Sequence, residues 1–351
     1  MKIIHTADIH LGARPDPGYT WSREREQEIW NSFRRLIERV KEERADFLLV
    51  AGDLFHRQPL LRELKEVNYL FASIPETTVV LMAGNHDYLA GNSCYPGFPW
   101  SRNVIGLWDE RCLRVPVPGK DTCVYGCSYH SREVCENLYR GARPQGRETF
   151  HILVAHGGDG KHSPLDFREL EAAGFTYAAL GHIHRPEIFP GGRAAYAGAL
   201  EPIDRNDEGP HGYIRVVCKG DGVRTEFVPF AVRSYRKLEL PVKPETTQFE
   251  LEETVREEIR RSGAGNLFKL RLTGLRDPET EFSLERLKRM DRVLQATDET
   301  EPAWDFRELS EKFRGSLIGE FVDYFDGKET ETERKALYYG VEALLKAKRD
   351  I

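Results

Sequence analysis

No stretch of the chain approaches the roughly 20 consecutive apolar residues that a membrane helix needs, so no membrane span is expected. The amino terminus enters a strand-like run at once, without the basic and then apolar pattern of a leader. Both absences point to the cytoplasm. Cysteine is scarce: six residues, at 94, 112, 123, 127, 135 and 218, are too few to staple 351 residues, which excludes a disulfide scaffold. Cys123 and Cys127 come nearest to a zinc spacing but read better as plain strand residues. A basic domain is missing too. Residues 1 to 230 carry 28 Lys/Arg against 31 Asp/Glu and the remainder 23 against 26, for a net charge of −6. A nucleic-acid substrate could therefore not be held by bulk positive charge, only by local patches, metal ions or a partner. The best patch, Arg132, Arg140, Arg143 and Arg147, is diluted by Glu133, Glu136 and Glu148 and reads as a solvated loop. Repeats and low-complexity segments are absent as well.

What is present is a set of short polar runs, each placed directly after an apolar segment. Ile3-Ile4 leads to Asp8-Ile9-His10, and Phe47-Leu48-Leu49-Val50 to Gly52-Asp53. Val79-Val80-Leu81-Met82 leads to Gly84-Asn85-His86-Asp87, Ile152-Leu153-Val154 to His156-Gly157, and Tyr177-Ala178-Ala179-Leu180 to Gly181-His182-Ile183-His184. A ligand at the carboxyl end of a buried strand follows such a segment. One Asp-x-His carries no information, but five ordered runs do.

Strand-like and helical runs alternate over residues 1 to about 160, the pattern of an α/β layer fold. Helices are expected over 24–42, with Ile29, Phe33, Ile37 and Val40 on one face, and near 60–73. Short strands such as Ala194–Gly198 and Tyr213–Val217 suggest a second sheet. The expected architecture is α/β: a two-sheet β-sandwich flanked by helices over 1–232, a small α+β cap domain over 233–300, and a helical carboxyl-terminal segment over 301–351. In the cap, Lys237–Leu240 and Phe268–Leu272 read as strands; Leu251, Val255 and Ile259 mark a helix face, and Ser283 opens another helix.

The runs suit a pair of divalent cations about 4 Å apart, an arrangement that hydrolyses phosphate esters. Asp53 is the choice for the bridging carboxylate. Asp8 and His10, two apart on an extended segment, share one ion with His184; Asn85, His156 and His182 are the ligands of the second ion. The two carboxylates would leave a net charge of about +2, which attracts a phosphodiester without a basic surface. Mixed carboxylate and imidazole ligation suits manganese first, then iron or zinc. His86 is free to act on substrate, with Asp87 holding its ring nitrogen, and His56 is the other candidate for positioning the phosphate. His5, His130, His151, His162 and His211 stay outside this assignment.

This order of motifs resembles the calcineurin-like metallophosphoesterase superfamily, over residues 1 to about 230. Ile4–Gly12 and Ala51–His56 look like the SbcD-type DNA repair nucleases, in which the histidine matching His56 belongs to the active site. Tyr196-Ala197-Gly198-Ala199 resembles that branch's Tyr-x-Gly-Ser segment, with Ala199 in place of serine. The resemblance implies a sandwich with a DNA-selecting cap, manganese-dependent exonuclease and endonuclease cleavage of DNA, a homodimer through catalytic-domain helices, and an SMC-like ATPase of the SbcC type on the carboxyl-terminal helices. Trp21, Trp30 and Tyr69 are the aromatic residues weighed for a dimer surface against their own core. Weaker matches in cap and tail leave open the compact exonuclease type found in bacilli and relatives. The alternatives are a phosphomonoesterase or a small-molecule or cyclic-nucleotide phosphodiesterase on the same metal site, and a DNA-end scaffold that tethers an ATPase.

Overall fold

The structure, a computed structural model, describes all residues except 221, 264, 329, 350 and 351 and the side chain of 349. It divides into two compact units, Met1–Tyr235 and Arg236–Ile351. The first unit runs β1 (Lys2–Thr6), α1 (Ser22–Glu43), β2 (Phe47–Ala51), α2 (Leu61–Ala72), β3 (Thr78–Met82), β4 (Val104–Gly106), β5 (Leu113–Val117) and β6 (Thr122–Gly126). It continues through β7 (Phe150–His156), α3 (Phe167–Ala173), β8 (Tyr177–Gly181), β9 (Glu187–Ile188), β10 (Ala194–Tyr196), β11 (Gly212–Lys219) and β12 (Gly222–Pro229).

Among the described residues these strands form two six-stranded sheets, ordered β12-β11-β1-β2-β3-β4 and β5-β6-β7-β8-β10-β9. Strands β1 to β4 are parallel, as are β6, β7, β8 and β10. Successive side chains on a strand face opposite sides, and the apolar runs use both. Ile3, Phe47, Leu49 and Val80 meet Ile152, Val154, Tyr177 and Ala179 of the other sheet. Ile4, Leu48, Val50 and Val79 instead pack under Ile29, Phe33, Leu36 and Ile37 of α1 and Leu64 and Val67 of α2. Strands buried on both faces have to read as continuous apolar runs rather than alternating ones. Strand β10 joins the second sheet, as its segment suggests. Residues Tyr213–Val217 do not: β11 pairs antiparallel with β1 and carries β12 as the edge of the first sheet. A hairpin closes an exposed edge locally, and nothing in its own pattern names the strand it will pair with.

Two buried polar features tie this unit together. Arg25 of α1 and Glu201, both with fully buried side chains, lie 3.8 Å apart. Arg25 also reaches Glu28 at 2.9 Å and the Pro202 carbonyl. Removing one partner strands the other charge in the interior, so Arg25→Ala should cost about 3–5 kcal/mol in urea unfolding. A loss under about 1 kcal/mol would mean that solvent reaches Glu201.

His5 of β1 faces the Tyr177 hydroxyl of β8 at 2.9 Å. Burial pushes its pKa from 6.5 down to about 3. Between those values the unfolded chain holds a proton on this ring and the folded chain does not. Stability from this residue is therefore complete above about pH 6.5 and falls by about 1.4 kcal/mol per pH unit as acid is added. In metal-free protein, His5→Gln should flatten the decline of the urea-extrapolated unfolding free energy between pH 6 and 4 by that amount. An unchanged slope would assign the acid sensitivity to other groups.

The second unit holds β13 (Ser234–Val242, which starts at the boundary), α4 (Gln248–Ser262), β14 (Asn266–Arg276), α5 (Leu284–Lys288), β15 (Val293–Asp298), β16 (Glu301–Pro302), α6 (Phe306–Lys312), α7 (Leu317–Tyr324) and α8 (Glu331–Arg349). Its sheet runs β13-β14-β15, with β16 also pairing β14. Leu251 and Val255 of α4 close over Leu240, Phe268, Leu270 and Leu272. Thr247 caps α4 through a reciprocal pair with Glu250. Ser283 stands at the start of α5 but its hydroxyl makes no cap bond. Among the described residues no helix is long and apolar enough to cross a membrane.

Candidate metal centre

The polar runs converge where the central strands end. Asp8 and His10 follow β1, Asp53 follows β2 and Asn85 follows β3; His156 closes β7 and His182 follows β8. Asp8, His10 and Asp53 have φ of 49°, 52° and 50°, and His182 has 93°. The segment after β1 is thus not extended, as the Asp-x-His spacing suggests, but turned into the left-handed region. Such backbone costs about 1–3 kcal/mol per residue and persists where surrounding structure holds it, often at functional sites. Two glycines make the convergence possible. A Cβ on Gly52 would lie 2.4 Å from His156 Nδ1, and one on Gly84 would lie 2.3 Å from Asp53 Oδ1. The glycine before Asp53 therefore makes room for the His156 imidazole.

Among the described residues four overlapping sets of donor atoms result, Asp8-His10-His184, Asp8-Asp53-His156, His10-His56-His86 and Asp159-His162-His182, and the ligands read from the sequence divide into two groups. Asp8, His10 and His184 present ligand atoms within 4.8 Å of one another, with the two Nε2 atoms 3.2 Å apart. Asn85 Oδ1 lies 2.9 Å from His156 Nε2 and 3.1 Å from His182 Nδ1. Asp53 Oδ2 stands between the groups, 3.7 Å from His10 Nε2 and 3.6 Å from His156 Nε2. His156 directs Nδ1 at the Ala51 carbonyl, 2.9 Å away, so that nitrogen carries the hydrogen and Nε2 keeps its lone pair for the centre. Every residue read from the sequence as a ligand is here.

The electrostatics fit cations. Burial drives the Asp8 carboxyl up to about 8 and raises Asp53 as well. Burial together with neighbouring imidazoles drives His10 and His156 well below the usual range. Charged carboxylates and neutral imidazoles crowded out of water are what a pair of dications stabilises. A burial penalty also opposes charge on His184, but the Asp207 carboxylate and Asp8 outweigh it and lift the ring to about 9.

His86 and His56 stack with ring centres 5.0 Å apart, beside His10 at 4.7 and 5.3 Å. Asp87 does not hold the His86 ring, contrary to the sequence reading. It accepts bonds from the Gly84 and Phe55 amides at 2.8 and 3.1 Å and from the Tyr95 hydroxyl at 2.8 Å, and so braces the loop. The partner of His86 Nδ1 is the His56 carbonyl, 3.2 Å away. Neighbouring residues in a tight turn point apart, which sends Asp87 inward and His86 outward.

A model of the calcineurin-like phosphoesterase family matches residues 1–186, more than half of the chain. The chain belongs to that family. This phosphoesterase is 26% identical to YhaO, an uncharacterized metallophosphoesterase of Bacillus subtilis strain 168, over 98% of this chain and 90% of that protein. It is 29% identical to the DNA double-strand break repair protein Mre11 of Methanocaldococcus jannaschii, over 59% of this chain and 58% of that one. With the Mre11 of Archaeoglobus fulgidus it shares 29% over 89% of this chain and 71% of that protein. The family uses a dinuclear divalent metal site, so the protein is a metal-dependent phosphoesterase.

Three residues of the phosphoesterase centre escape sequence reasoning. Asp207 contacts His184 Nδ1 at 3.0 Å, Asp159 contacts His182 Nε2 at 2.8 Å, and His162 contacts Asp159 at 3.0 Å. Asp159 sits among glycines three residues after His156, a faint signal; Asp207 has none. Among the described residues no metal-competent group includes a cysteine, and Cys123 and Cys127 are buried core. The four arginines from 132 to 147 are exposed on a loop.

Proposed function

We propose that this phosphoesterase is a two-metal DNA repair exonuclease, with endonuclease cleavage at the same site. Asp8, His10 and His184 would hold one ion, Asn85, His156 and His182 the other, with Asp53 bridging. Manganese fits this donor set first, ahead of iron and zinc. When bound, the cations supply positive charge at the phosphoryl oxygens and a water acidic enough to attack near neutral pH. The chain's own groups do the rest. The His56 carbonyl keeps a proton on His86 Nδ1, so it is the imidazolium, protonated on both nitrogens, that gives its Nε2 proton to the departing oxygen. The exposed His56 ring, stacked on His86, positions the phosphate.

That stacked pair carries the reading, because His56 lies in the Leu54-Phe55-His56 extension that resembles the repair nucleases. The Mre11 relatives support the same substrate class. In this reading residues 233–300 form a cap that selects DNA form, and residues 301–351 receive an SMC-like ATPase. A homodimer would use apolar surface such as Tyr69 on α2, which is 76% exposed, whereas Trp30 is buried in its own core. The working compartment would be the cytoplasm.

The test offers manganese-loaded protein end-labelled linear DNA, single- and double-stranded, beside a phosphomonoester and a cyclic nucleotide. Progressive shortening of DNA is the expected result. Turnover of the monoester or cyclic nucleotide with DNA intact would move the protein to the small-molecule branch and remove the reason to expect an ATPase partner.

A further inference from the structure

We infer that Asp159 and Asp207 are positioning carboxylates, one for each metal site, and that they make the sites unequal: the ion held through His182 exchanges readily, the ion held through His184 does not. The inference rests on the two-ion reading above.

His184 turns Nδ1 toward both oxygens of Asp207, at 3.1 and 3.0 Å, so Nε2 is the nitrogen left for an ion. Asp207 is itself fixed. Its Oδ2 accepts the amides of Ile203 and Asp204 at 2.9 and 3.0 Å, and its side chain is only 10% exposed. A buried, immobile carboxylate behind an imidazole locks the ring and makes its other nitrogen a stronger donor.

His182 has the opposite orientation. Its Nε2 faces Asp159 Oδ2 at 2.8 Å and its Nδ1 faces Asn85. Asp159 is 47% exposed, so water screens its charge. Like Asp207 it accepts two amides, those of Lys161 and His162 at 2.8 and 2.9 Å, but the His162 ring also competes for both of its oxygens at 3.0 Å. His182 therefore receives less electron density than His184 does. The direct ligands push the same way: one ion meets Asp8 and Asp53, the other meets Asp53 and the neutral Asn85. Both effects weaken the His182 site.

Full-length protein stripped with chelator and titrated with manganese chloride tests this, by calorimetry and by the exchange-coupled manganese resonance spectrum. The wild type should bind two ions in two classes. Asp159→Asn should weaken the weaker class about 10- to 100-fold, leave the tighter class within about twofold, and replace the coupled spectrum by that of an isolated ion. Asp159→Glu, which keeps the charge, should recover part of the loss. Asp207→Asn should weaken the tighter class instead. Asp159 is exposed, so this variant's folding is not at stake, and circular dichroism checks it. An unchanged Asp159→Asn isotherm, or a loss in its tighter class, overturns the inference. So does a third ion lost with Asp159, which would make Asp159, His162 and His182 a separate site. A wild type that binds fewer than two ions overturns the two-ion reading itself.

Discussion

Asp53→Asn protein should keep its fold, lose DNA cleavage by about 10³-fold or more, and retain at most one tightly bound manganese per chain. The geometry explains why one atom carries so much. Asp53 Oδ2 lies within 3.7 Å of a ligand nitrogen from each group, whereas Oδ1 accepts the His86 amide at 2.8 Å. Asparagine can keep the second contact, so the loop stays in place. It cannot keep the first, because an amide NH2 has no lone pair to share between two cations. A thousandfold loss corresponds to about 4 kcal/mol of transition-state stabilisation. The same variant should gain stability when metal-free. Burial raises the Asp53 carboxyl, so near pH 8 the folded chain must strip or bury a charge that the amide never carries. Metal content, end-labelled DNA cleavage and urea unfolding in chelator check the three claims together. Cleavage within tenfold of wild type would remove Asp53 from the bridge.

His86→Ala should lower kcat for DNA by about 10²- to 10⁴-fold while both ions stay bound. Its ring contacts the His56 carbonyl, stacks on His56 and meets the His10 ring at 4.7 Å, whereas Asn85, His156 and His182 make their hydrogen bonds with one another, the Ala51 carbonyl and Asp159. On the two-metal reading proposed above the cations hold the phosphate, so the KM should change little. Added imidazole should restore part of kcat, because the missing group is a proton carrier rather than a structural prop. Loss of one ion in the variant would make His86 a ligand. A tenfold rise in KM with kcat unchanged would make it a binding residue.

The residues that the sequence reveals are those with a local reason to stand where they do. A buried parallel strand is apolar on both faces, so Phe47–Ala51 and Tyr177–Gly181 announce themselves and the polar residue after each is conspicuous. Asp87 is the instructive failure. Next to His86 in sequence, it reads as that ring's partner, but its carboxylate turns inward to Tyr95 and two amides. Asp159 and Asp207 failed differently, because each meets its histidine 23 residues away and no periodicity spans that gap.

By itself, then, the sequence determined the strand ends, the family and which residues are proposed as ligands, since burial of a strand and affinity for a cation both depend on residue type. Only the tertiary structure decided which histidine nitrogen each ligand offers, that β11 joins the first sheet, and which carboxylates stand behind His182 and His184. Those depend on distances between segments that nothing but the packed chain brings together.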